Sequence, residues 1–145
     1  MEELIELVNF RIAGSGLVQV HGDNGDVTYA KKSVYDRADV VNALMLSLSA
    51  FNAIPYFTNI TFEDNVSSIS DLLVTYACYL LLQRQALIEK GREFIVQNGG
   101  ISFTPPAMGD FLFNVSADMH QKWTLQVQLL KKSSEFIESL KKQYN

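Results

Sequence analysis

Ser70-Asp71-Leu72-Leu73-Val74-Thr75-Tyr76-Ala77-Cys78-Tyr79-Leu80-Leu81-Leu82 is apolar on almost every side of a helical wheel. A helix with that pattern is covered on several sides, which makes it the centre of a bundle rather than a surface element. Ser68-Ile69-Ser70-Asp71 supplies a capping signature at its start, and Asn98-Gly99-Gly100 supplies the glycine that lets a helix end. The spacing therefore predicts a long helix from about Ser68 to Val96. Its most apolar run, Leu72 to Leu82, spans eleven residues between Asp71 and Gln83, against the roughly 20 a membrane span needs. Cys78 lies inside the run and reads as a buried thiol acting as a small hydrophobe.

Upstream, Glu2 to Ala13 places Leu4, Leu7, Val8 and Ile12 on one helical face and stops at Gly14-Ser15-Gly16. Leu17-Val18-Gln19-Val20-His21 and Val27-Thr28-Tyr29-Ala30 flank a central Asn24-Gly25, the signal of a small β-hairpin over residues 17–31. Two strands alone are marginal in water, so this hairpin is expected to lie on the helical body or to join a neighbouring subunit. Ser33-Val34-Tyr35-Asp36 reads as a capping box for a helix that carries Val40, Val41, Leu44, Leu48 and Phe51 up to Pro55.

Downstream, Ile101-Ser102-Phe103-Thr104-Pro105-Pro106 is extended, because the residue before a proline is pushed from helical angles. Leu112, Val115, Met119, Trp123, Val127, Leu130, Ser134, Ile137, Leu140 and Tyr144 then step by three and four to the C-terminus. One helix of that length would run about 50 Å. A compact domain this size has a radius of gyration of roughly 14–15 Å, so the helix end is expected to project. The predicted fold is mainly α: one domain over residues 1–145, a helical bundle with two long C-terminal helices and a small β-hairpin near the N-terminus.

With 48% apolar and 19% charged residues in 145, the chain can bury a core without metals or disulfides, and its single cysteine rules out an intramolecular bridge. Ser, Asn and Gln replace much of the missing charge, and such residues cost less than Lys or Glu to bury in a contact. A net charge of −4 argues against a general affinity for nucleic acid. The acidic Met1-Glu2-Glu3 start does not resemble a secretory signal, so the chain is expected to stay in the cytoplasm of the cell that makes it.

Catalytic equipment is sparse. The two histidines, His21 and His120, belong to no metal-spaced cluster, and no Gly-rich phosphate loop or Gly-x-Ser-x-Gly elbow is present. Asp23-Asn24-Gly25-Asp26 lacks the ligand spacing of a calcium loop. Glu89 and Glu93 share a helix face interleaved with Lys90 and Arg92, the pattern of a solvated surface. No catalytic residue, cofactor or metal is expected. The features left over are suited to binding proteins: the aromatic loop with Tyr56, Phe57 and Phe62, the tract with Phe103, Pro105 and Pro106, and Leu130 and Ile137 on the last helix. Lys131, Lys132, Lys141 and Lys142 give that helix a local positive balance, read as complementing its macrodipole, with contact to nucleic acid only incidental.

Tyr76-Ala77-Cys78-Tyr79-Leu80-Leu81-Leu82-Gln83, Gly91-Arg92-Glu93-Phe94 and Asn98-Gly99-Gly100-Ile101-Ser102-Phe103-Thr104-Pro105-Pro106 together resemble small virion structural proteins of tailed bacteriophages. There, a helix ending in Arg-Glu-aromatic leads through an Asn-Gly-Ile-Ser-aromatic-x-Pro-Pro tract into a long helix. The resemblance covers a third of the chain at most, and Gly99-Gly100 carries one glycine more than that pattern. It implies a multi-copy, homo-oligomeric ring or connector subunit at the head-to-tail neck, beside the portal or neighbouring ring proteins, located in the virion after synthesis in the host cytoplasm. It brings no catalytic residues. Two other classes are open on the sequence: a soluble helical adaptor holding one protein partner, and a small enzyme with a site built from His120, Glu89 and Glu93.

Overall fold

The computed structural model describes residues 1–13, 17–21, 27–31, 35–98 and 108–144. It is mainly α. The elements are α1 (Glu2–Ala13), β1 (Leu17–His21), β2 (Val27–Lys31), α2 (Arg37–Ala53), a 3-10 turn (Ser67–Ile69), α3 (Ser70–Asn98), α4 (Met108–Lys132) and α5 (Ser134–Tyr144). β1 and β2 pair antiparallel, with Leu17 opposite Lys31 and His21 opposite Val27.

The predicted central helix is α3, and α1, α2 and α4 all pack on it. Leu72, Leu73, Val74, Ala77, Cys78 and Leu81 are buried, in line with their all-round apolar pattern. Cys78 is a free, buried thiol whose pKa burial pushes up to about 11, so it stays protonated and inert.

Polar contacts fix the helix directions. Arg11 at the end of α1 reaches Asp71 and Thr75 at the start of α3, while Glu2 pairs with Arg37. Asp39 at the start of α2 pairs with Arg84 at 2.6 Å, and the buried Ser47 hydroxyl donates to the Leu73 carbonyl at 2.8 Å. The Trp123 indole donates to the Leu72 carbonyl at 2.9 Å, and Lys90 pairs with Asp110. Thus α1, α2 and α4 point one way and α3 the other. α1 and α2 are therefore parallel to each other, and β1 and β2 stand between them in chain order.

Several expectations are corrected. The buried face of α1 is Leu4, Ile5 and Val8, with Ile12 partly buried beside them, leaving Leu7 exposed. α2 begins after Asp36, whose side chain makes no capping bond; Ser33 and Val34 lie outside the described residues. It ends where predicted, because Pro55 holds Ile54 extended at φ −74° and ψ 132°. α3 is preceded by the 3-10 turn, and Ser70 Oγ donates to the Ser67 carbonyl.

The largest correction concerns the C-terminus, where the predicted single helix is two. Ser133 breaks it: its hydroxyl oxygen accepts from the Phe136 N–H at 3.3 Å, an N-cap for α5, while its own N–H donates to the Leu130 carbonyl. The break turns Phe136 into the core, edge-on to Phe51 with centroids 6.0 Å apart, and Leu140 packs there as well. α5 is therefore docked on the body through its first two turns and is not a free projection.

At Gly109, α4 lies close against α3. A Cβ there would lie 2.6 Å from Lys90 Cγ and 3.2 Å from the Ala86 carbonyl oxygen, whereas Gly91, exposed on α3, has nothing within 4 Å. Gly109→Ala should cost about 1–3 kcal/mol by overpacking. Gly91→Ala should instead add about 0.5–1 kcal/mol, because a mid-helix glycine loses more backbone freedom on folding. Urea melts of the two variants should move in opposite directions.

Candidate protein-interaction surface

The helix-ending Pro55 opens a loop that the sequence marked for its aromatics. Asn52, on the last turn of α2, pins the loop from inside: its Nδ2 donates to the Ile60 carbonyl at 2.8 Å, and its Oδ1 accepts from Thr58 Oγ1 at 2.7 Å and from the Ile60 N–H at 3.2 Å. Beyond it, Asp64 accepts from both the N–H and the hydroxyl of Thr61.

A second tether comes from α4. Lys131 is 1% exposed, and its Nζ donates to the carbonyls of Phe51, Ile54 (2.6 Å) and Tyr56 (3.0 Å), with the Phe51 ring centroid 4.5 Å away. The last carbonyls of a helix have no partners within it and carry its partial negative charge, so an ammonium is well placed there. Burial lowers the Lys131 pKa to about 8, which leaves it mostly charged at neutral pH.

Held on both sides, the loop carries Tyr56 and Phe57 outward, 66% and 78% exposed, while Phe62 is half-buried against the core. A rigid loop that displays two aromatics loses little conformational freedom when it docks, and aromatics carry much of the binding energy of interfaces.

The remaining sequence candidates divide. Leu130 is half-buried against the core and Ile137 is partly exposed, so Leu130 belongs to the fold more than to a surface. Lys132, Lys141 and Lys142 are exposed, whereas Lys131 is enclosed and cannot meet an external phosphate. Phe103, Pro105 and Pro106 lie outside the described residues.

His120 is exposed on α4, with its ring centroid 4.8 Å from that of Tyr79 and 5.9 Å from that of Tyr76; Trp123 lies beneath, 4.2 Å from Tyr76. Burial raises the Tyr76 pKa, with Tyr79 adding to it. Glu89 is ten residues beyond Tyr79 on α3, about 15 Å along the axis at 1.5 Å per residue, and it accepts from Gln85 Nε2 at 2.6 Å. His120 and Glu89 are thus held apart, and among the described residues no three His, Cys, Asp or Glu side chains converge on a possible metal position. No described helix is long and apolar enough to cross a membrane.

Sequence reasoning missed a second set of apolar side chains on the outside of the bundle: Phe10 on α1, Met45 and Leu46 on α2, and Phe111, Leu125 and Leu129 on α4. Each lies off the stripe that faces the core, and that displacement was the signal available. Comparison with protein-family models, curated proteins and solved structures found no match for this chain.

Proposed function

We propose that the protein is a non-enzymatic structural subunit of a tailed-phage particle, a multi-copy ring or connector component that joins neighbouring virion proteins through rigidly displayed apolar side chains. The observation that carries this reading is the loop tethered by Asn52 and Lys131, which presents Tyr56 and Phe57 to solvent. Two exposed aromatics on a pinned loop are costly to solvation and serve a contact. The resemblance over Tyr76 to Pro106 directs that contact to a virion neighbour. The hairpin of β1 and β2 is the further element such a subunit would lend to an adjoining copy.

The test is incorporation into purified particles of the encoding phage, read by quantitative mass spectrometry. The wild-type chain should be present in many copies. The double variant Tyr56→Ser/Phe57→Ser should fold with stability changed by less than about 0.5 kcal/mol, as surface substitutions do, yet be incorporated at least about tenfold less. A chain absent from particles, or one bound as a single copy to one soluble protein, would overturn the virion reading in favour of an adaptor.

A further inference from the structure

The outer face of α4 carries a second pattern, distinct from the stripe that packs on α3. Phe111, Val115, Asp118, Lys122, Leu125 and Leu129 alternate by four and three along the side opposite Trp123 and Val127. Phe111, Leu125 and Leu129 are exposed, Leu129 to 71%, and Val115 is partly buried. Asp118 and Lys122 form an exposed i,i+4 ion pair at 2.7 Å in the middle. Spacing of four and three is that of a seam on which one helix packs along another.

We propose that this seam pairs two copies of the chain, α4 against α4, in antiparallel register about a twofold axis at the level of residue 120. The sequence of the seam is its own complement in that register. Phe111 meets the partner's Leu129, Val115 meets the partner's Leu125, and Asp118 meets the partner's Lys122, each pair equidistant from the axis. A parallel pairing would set aspartate on aspartate and lysine on lysine, so the charges select the antiparallel form and reject the other. A twofold contact of this kind requires one patch to complement itself, and that is the property the six positions share.

The flanks agree. Asn114, Gln121, Gln126 and Gln128 are exposed beside the seam and carry no charge to strand on pairing. From Phe111 to Leu129 the contact would extend about 28 Å, two helices packed at 8–10 Å. That is a narrow interface, at the lower end of specific association, so the dimer should be reversible and dependent on concentration. The seam does not rest on the virion reading: a twofold contact closes on two copies, and contacts around a ring would use other surfaces.

Sedimentation velocity across a concentration series tests the proposal on the full chain. The wild type should pass from 16.3 kDa to twice that mass. Asp118→Lys alone and Lys122→Asp alone should each weaken self-association by at least about tenfold, since one places only lysines at the axis and the other only aspartates. Mixing the two single variants should restore a heterodimer, and Asp118→Lys/Lys122→Asp in one chain should restore the homodimer. Both side chains are exposed, so circular dichroism should show unchanged helix content. A chain that stays monomeric throughout, or a dimer indifferent to both reversals, would overturn the proposal.

Discussion

Replacing Trp123 by alanine should lower the free energy of unfolding by about 3–5 kcal/mol, the range for removing a large aromatic from a packed core. The indole is 2% exposed where α4 crosses the first turns of α3, with Tyr76 4.2 Å away. Its loss removes apolar contact on both helices and leaves a cavity that two continuous helices cannot close. Trp123→Phe separates the terms. It retains a ring and forfeits the N–H donated to the Leu72 carbonyl, which should cost about 1–1.5 kcal/mol beyond the smaller ring volume. The Leu72 carbonyl is not orphaned in that variant, because within an α-helix it also accepts from the Tyr76 N–H. Urea unfolding followed by far-UV circular dichroism suits both, since Trp123 is the one tryptophan and its fluorescence goes with it. Equal losses for alanine and phenylalanine would place the stabilisation in the hydrogen bond instead of the packing.

The pattern around Trp123 was legible because burial there is periodic. Leu72 to Leu81 and the stripe Met119, Trp123, Val127 repeat at helical spacing, and Pro55 stops α2 through backbone sterics that any sequence shows. The break at Ser133 was less legible, since Leu130, Ser134, Ile137 and Leu140 continue the spacing by three and four straight through it. The competing signal was local, a serine placed to cap, with Glu135 in the first turn after it. Once capped, the new helix presents Phe136 to the core in place of Ile137, a change of face that spacing alone does not reveal. The outer seam of α4 was hidden for the opposite reason. Periodicity in α4 points first to the side facing α3, and the second stripe lies in its shadow. Surface lysines are the rule near helix C-termini, and by sequence Lys131 fits that rule; what encloses it is the end of α2, 80 residues away in sequence, beyond the reach of any local pattern.

Lys131→Met should therefore destabilise the protein by about 2–4 kcal/mol, although it exchanges a buried charge for an apolar side chain of similar length. Methionine keeps the stem packed but donates nothing, and the Phe51, Ile54 and Tyr56 carbonyls lose the partner they share, an ammonium on a side chain only 1% exposed. Phe51 O retains the Ile54 N–H at 3.3 Å, so the loss falls mainly on Ile54 and Tyr56 and should loosen the loop that carries Phe57. The pH dependence isolates the lysine. Its folded-state pKa is lowered to about 8 by burial, against about 10.5 in the unfolded chain. Between those values the unfolded chain holds a proton that the folded one has released, so the wild type gains stability as pH rises from about 8 towards 10. The methionine variant lacks that gain, and the gap between the two unfolding free energies should widen over the window while staying level from pH 6 to 7. A neutral amine still donates two hydrogen bonds, which keeps the cap in place as the proton leaves. Urea unfolding of both proteins at a series of pH values decides it: a gap that narrows with rising pH would mean that the ammonium charge, more than its hydrogen bonds, stabilises the end of α2.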